Sequence, residues 1–129
     1  MRYLILEMKE IMLKRTKKFT IDCAILCSKL PKTREYNAYV NQLIRCSSSV
    51  GANYRSSQRA KSAADFINKL KIVEEEADES NFFLEIILEI TMMEKLNLNT
   101  EIEILLKESN ELVAIVVSSI KTARINNTK

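Results

Sequence analysis

Phe66, Leu70, Val73, Ala77, Ser80, Leu84, Ile87 and Thr91 recur at steps of 4, 3, 4, 3, 4, 3 and 4 without a slip. Alternating steps of three and four hold side chains on one face of an α-helix, and at this length they form a heptad seam for partner helices. The seam predicts a helix over residues 62–93, about 48 Å long at ~1.5 Å per residue. Such a helix needs others beside it to cover its apolar face. The rest of the chain can supply them: its 129 residues contain one Gly and one Pro, too few breakers for the many turns of an all-β fold.

A first helix is expected over about 4–29, with Ile5, Met8, Met12, Phe19, Cys23, Leu26 and Leu30 on one face and Lys9, Lys14, Lys17 and Lys18 opposite. Pro31 ends it, because the residue before a proline is driven out of helical geometry. After a loop at 31–34, a second helix is expected over 35–57, with Tyr36, Val40, Leu43, Ser47, Val50 and Tyr54 inward. From Cys46 to Ala52 its side chains are nearly all small, and Gly51 alone costs about 1 kcal/mol against alanine in a helix interior. Two readings stand. Either the small side chains let a neighbouring helix approach closely, or the helix breaks into a loop at Ser47. Residues 55–61 contain the second turn, with Ser62 as N-cap of the long helix and Asp65 near its positive end.

Residues 97–100 form the third turn, and Thr100 with Glu103 makes a capping box for a fourth helix over about 101–124. Its seam is Ile102, Leu106, Ser109, Val113, Val116, Ile120 and Ala123, and 125–129 are expected to fray. Within it the run LVAIVV is apolar on every side, and such a helix is buried on every side. A second buried face is therefore expected there, at a subunit interface formed by Leu112, Val113, Ile115, Val116 and Val117. Four helices on short loops give one domain over 1–129: all-α, an antiparallel up-down-up-down four-helix bundle.

The net charge of +3 hides an asymmetry. Residues 1–71 carry a net +10, residues 72–111 a net −10 and residues 112–129 a net +3. The chain has no histidine, which removes His-based acid–base and nucleophilic chemistry and nearly every usual zinc site. Cys23, Cys27 and Cys46 form no CxxC pair and are read as buried small hydrophobes in a reducing compartment. No apolar run reaches the length of a signal or membrane segment, so a soluble, cytoplasmic protein is expected. The serines at 47–49 stand in neither a nucleophile elbow nor a phosphate loop. No catalytic residue, cofactor or metal is assigned.

The run LIRCSSSVGANYR, followed by AKSAADFINKLKIVEEEADES, resembles the four-helix-bundle proteins encoded in intervening sequences of bacterial large-subunit rRNA genes. A related branch is the accessory variability determinant proteins of diversity-generating retroelements. The resemblance spans about residues 11–124. It is most specific at Gln42, Leu43, Arg45, Ser49, Gly51, Ala52 and Asn53, at Asp65, Phe66, Leu70, Glu76, Ala77 and Glu79, and in the run ESNELVAIVVSSIKTA. It implies a protomer that assembles into a ring, commonly a homopentamer, without enzymatic activity. It also implies a nucleic-acid partner, since the accessory proteins bind nucleic acid and a reverse transcriptase. Where that family often has acidic residues after the asparagine of the second helix, this chain has Tyr54, Arg55, Ser56 and Ser57, which makes the turn more basic.

Setting the second and third helices antiparallel about residue 60 places Arg45 opposite the carboxylates of the third. A structural ion pair of Arg45 with Glu76 or Glu79 is expected, with the planar guanidinium relieving i,i+4 repulsion between acids. The rival reading, a metal or acid–base site at Glu75, Glu76 and Glu79, lacks the histidines that such bundle sites usually add. Two basic clusters are the candidate nucleic-acid surface: Lys14, Arg15, Lys17 and Lys18, and Arg55, Arg59, Lys61, Lys69 and Lys71. The expectation is a homo-oligomeric adaptor that binds RNA or DNA through phosphates. The alternative is an interaction module whose opposite charge blocks meet across subunit interfaces, with no nucleic-acid partner.

Overall fold

A computed structural model describes residues 2–128, and describes side chains from residue 6 onward, so the side chain of Ile5 in the expected first seam lies outside it. Four helices account for most of this span: α1 (Arg2–Ser28), α2 (Arg34–Ser57), α3 (Ala63–Met93) and α4 (Asn99–Asn127). Each packs on its neighbours in chain order, and α1 closes the circle against α4 with the thinnest of the four contacts. Cross-helix partners run in opposite directions along α2 and α3. Tyr36 meets Glu94, Arg45 meets Glu79, and Ser80 meets Cys46. The architecture is the expected all-α antiparallel bundle.

The α3 seam is the core's axis: Leu70, Val73, Ala77, Ser80, Leu84, Ile87 and Thr91 are all buried. Ser62 caps the helix, its hydroxyl accepting from the Asp65 N–H at 3.1 Å, and Asp65 reaches back to accept from the Lys61 N–H at 3.0 Å. Beside the seam, buried Asn81 donates to Ser109 Oγ at 2.7 Å and to the Leu106 carbonyl at 3.3 Å, which fixes the register of α3 against α4. At the far end of α3, Lys95 takes a left-handed φ of 58°. The Leu96 N–H then reaches the Thr91 carbonyl at 2.9 Å and the Lys95 N–H the Met92 carbonyl at 3.1 Å, a left-handed helix stop normally built on glycine.

α2 runs unbroken through Ser47 and Gly51, so the loop reading is overturned. A Cβ on Gly51 would stand 2.8 Å from Thr20 Oγ1 and 3.4 Å from the Thr16 carbonyl oxygen. The small residues thus serve close approach to α1. Thr20 Oγ1 uses that proximity to donate to the Ser47 carbonyl at 2.7 Å. Intrahelical ladders leave few polar groups for such links, so a side-chain bond between two backbones marks where they nearly touch.

Several expectations need correction. Met8 is 58% exposed, because it lines the wall of a cleft between α1 and α4. Buried Thr16, its hydroxyl donating to the Met12 carbonyl at 2.8 Å, fills the seam between Met12 and Phe19. On α4 the inward positions are Leu105 and Leu112 rather than Leu106 and Val113. Finally, α4 starts at Asn99 with Leu98 as its cap and no side-chain capping bond. Leu96 and Leu98 pack against the core, pulling the helix start back and leaving Thr100 inside the first turn. α4 also continues to Asn127, past the expected end at 124.

Candidate nucleic-acid interface

The antiparallel packing gathers α1's N-terminal half, α2's C-terminal half, the start of α3 and the end of α4 at one end of the bundle. Met8, Gln58, Phe66 and Asn126 line one cleft there. Most of the candidate cations occupy this end and the adjoining α1–α2 seam. Lys14, Lys17, Arg55, Arg59, Lys61 and Lys71 are exposed, and no carboxylate comes within ion-pair distance of them among the described residues. Lys9, Lys121 and Arg124, which the sequence reading did not assign to the surface, share the end with them. The clue was available: antiparallel pairing puts the basic end of α4 beside the basic start of α1.

Three of the expected contact residues are engaged elsewhere. Arg15 lies between α1 and α4, 2.5 Å from Glu108 and 3.7 Å from Glu111. Its hydrogen bond to Glu108 raises the guanidinium pKa further, outweighing burial. Lys18 is 2.5 Å from Asp22 and Lys69 is 3.0 Å from Asp65, both one helical turn apart. The hydrogen bonds from the Lys61 N–H and then from Lys69 hold Asp65 below the usual carboxylate range.

Helical geometry places the free cations on one strip. Thr16, Lys17 and Thr20 border Gly51, so the α1 face turned to α2 is the one next to Lys14 and Lys17. On α2, Arg55 lies four residues beyond Gly51, one helical turn along the same flank, and Arg59 follows in the turn just past the end of α2. The four cations therefore flank the α1–α2 seam, where Gly51 has drawn the helices together.

Part of the acidic block is paired within the protomer. Arg45 Nη1 lies 3.3 Å from Glu76 and Nη2 lies 2.5 Å from Glu79, tying α2 to α3 in mid-bundle. Desolvation raises the Glu76 pKa despite this partner. Glu75 stays exposed and takes no part in the pair. At the opposite end, Tyr36 donates to Glu94, Lys29 pairs with Glu101 at 3.0 Å, and Glu35, Glu89 and Glu103 are exposed. The bundle is thus electrically polarised, basic at the α2–α3 turn and acidic at the α3–α4 turn.

Leu112 and Val116 are 0% exposed in the protomer's own core. Of the five residues expected at an interface, only Val113, Ile115 and Val117 keep surface to offer. Ile115 lines the cleft of about 610 Å³ between α1 and α4, floored by Met12, Tyr54 and Phe66. The buried thiols carry no reactivity: burial pushes Cys23 up strongly and Cys27 to about 11, so neither is a thiolate near neutrality. Among the described residues, no helix is long and apolar enough to cross a membrane.

A model of the 23S rRNA-intervening sequence protein family matches residues 8–118. Among solved structures, the chain is similar to a protein of unknown function from the S23 ribosomal protein family of Bacteroides thetaiotaomicron VPI-5482. The two are 27% identical and superpose with a TM-score of 0.74, covering 88% of this chain and 97% of that one. No curated protein matches the chain.

Proposed function

The chain belongs to the 23S rRNA-intervening sequence protein family, and on that premise we propose that it is a non-enzymatic, self-associating adaptor that binds RNA or DNA through its basic end. One observation carries the reading. Among the described residues, Lys14, Lys17, Arg55 and Arg59 make no ion pair within the protomer, while Arg45 and Arg15 hold Glu76, Glu79, Glu108 and Glu111 of the acidic block. Cations held on helices and the turn beside them, and left unpaired, form an electrostatic surface for phosphates.

Self-association rests on the α1–α4 side. The cleft with Met8, Met12 and Ile115 on its walls is apolar surface that a second copy of this chain would cover, and half-buried Val113 and Val117 add apolar surface on the α3 side of α4. A pentameric ring, as the resemblance implies, would repeat the basic strip five times and raise avidity without new contacts. A reverse transcriptase or other protein partner, and a cytoplasmic location, enter on the same resemblance.

Light scattering on the eluting protein gives the assembly's mass, and a salt titration of oligonucleotide binding tests the surface. Expected are a mass several times that of the 14.9 kDa chain and an affinity that falls steeply with salt. A clean monomer removes the ring. Binding that is absent at low salt, or indifferent to salt, removes the nucleic-acid partner.

A further inference from the structure

Proteins that hold unpaired strands combine a cationic groove with exposed aromatic rings on which bases stack. The basic end of this bundle is built differently. Phe19, Tyr36 and Tyr54 are buried, and Tyr54, next to Arg55, keeps only 7% of its surface. Phe66 is half-buried in the floor of the cleft. Tyr39 and Phe83 pack on each other with ring centroids 6.4 Å apart, and Tyr39 lies about 24 Å along α2 from Arg55 at ~1.5 Å per residue. Phe82 is 54% exposed, but Asp78, Glu79 and Glu85 lie around it on α3, where phosphates are repelled. Among the described side chains, none offers an exposed ring beside the cations.

The cations stand on a rigid frame. Lys14 and Lys17 are three residues apart on α1, about 5–6 Å at Cβ, and Arg55 stands in the last turn of α2 with Arg59 just past its end, where the Arg59 N–H donates to the Ser56 carbonyl at 3.0 Å. Gly51, beside Lys17, and the Thr20–Ser47 hydrogen bond one turn beyond it lock the two helices together at the Lys17 end of the strip. A fixed array of this kind matches a ligand whose phosphates are already fixed. Double-stranded DNA carries about one negative charge per ~1.7 Å of axis and releases more counterion per contact than a single strand, ~0.9 against ~0.7. An unpaired strand meeting the same array would have to be ordered and would gain no stacking from the described side chains in return.

Resting on the nucleic-acid reading above, we infer that the α1–α2 strip takes double-helical nucleic acid, gripped through its phosphate backbone without regard to base sequence, and holds unpaired strands weakly. Arg55 and Lys14 sit at the centre of the strip.

Fluorescence anisotropy on the full chain tests this with three labelled probes: an RNA duplex of about 20 base pairs, the DNA duplex of the same sequence, and the unpaired strand. At least one duplex is expected to bind about tenfold more tightly than the unpaired strand, and a scrambled duplex to bind as well as the original. The RNA and DNA arms show which helix geometry is preferred, and a preference for either over the unpaired strand sustains the inference. Lys14→Gln/Arg55→Gln is expected to lose about tenfold in duplex affinity while keeping the wild-type helical circular dichroism. If binding depends on salt but the unpaired strand equals or exceeds both duplexes, the inference fails and the nucleic-acid reading survives. If no probe shows salt-dependent binding, both fail.

Discussion

Replacing Gly51 with alanine sets two effects of known size against each other. In an open helix interior the exchange would stabilise by about 1 kcal/mol, since glycine loses the most conformational freedom on folding. Here the new Cβ would stand 2.8 Å from Thr20 Oγ1 and 3.4 Å from a backbone carbonyl. Thr20 has little room to retreat, because its β-branched side chain has few helical rotamers and its hydroxyl bridges to the Ser47 carbonyl. Either that bond breaks, at ~1 kcal/mol, or the helices are forced apart, at ~1–3 kcal/mol for overpacking. Gly51→Ala is therefore expected to destabilise by roughly 0–2 kcal/mol instead of stabilising. In a Thr20→Ala background the obstructing oxygen is gone, and the same exchange should be neutral or stabilising by up to ~1 kcal/mol. Urea unfolding of the four proteins at one fixed concentration, followed by circular dichroism, gives the coupling, expected at roughly 1–3 kcal/mol. If Gly51→Ala alone stabilises by the full ~1 kcal/mol, the close approach of α1 and α2 is refuted.

Ser62→Ala removes the hydroxyl that accepts from the Asp65 N–H and should cost about 1 kcal/mol in the same assay. Asp65 has a depressed folded pKa, so its ionised form supports the fold at every pH above the ordinary value of about 3.9, and that support fades as pH falls through the folded value. Asp65→Asn should accordingly flatten the acid limb of the stability–pH curve and leave its shape near neutrality unchanged. Lys95→Gly relieves a left-handed φ of 58° and is expected to raise stability by about 1 kcal/mol, read as a higher midpoint in urea. Asn81→Ala strips the hydrogen bonds that set α3 against α4 and should cost roughly 1–2 kcal/mol by denaturant unfolding.

Why some of this was legible in the sequence can be argued element by element. The α3 row from Leu70 to Thr91 could be read correctly because α3 packs heavily on both α2 and α4, so every inward position must be small or apolar. The α4 row was ambiguous because Ile104, Leu105 and Leu106, and again Leu112 and Val113, are consecutive apolar residues. Periodicity alone cannot choose among them, and the hydrogen bonds of Asn81 to Ser109 and Leu106 settle the rotation. Thr16 escaped because a hydroxyl that donates to its own helix can be buried at little cost. Met8 was placed inside by a pattern that carries no information on where α1 leaves α4. Both basic clusters were visible as residues, and the i,i+4 partners of Lys18 and Lys69 lay in the sequence, but the engagement of Arg15 depended on Glu108, which lies 93 positions away and becomes its neighbour only when α4 closes the bundle.

The slope of log affinity against log salt for duplex binding tests most directly whether phosphates sit on the α1–α2 strip. Each lost phosphate contact should reduce the slope by about 1, so Lys14→Gln/Arg55→Gln is expected to reduce it by about 2 relative to the wild type. Lys32→Gln/Lys95→Gln, at the opposite end of the bundle, should leave it unchanged. An unaltered slope in the strip variant, or an equal fall in both variants, would contradict the assignment of nucleic-acid binding to this surface.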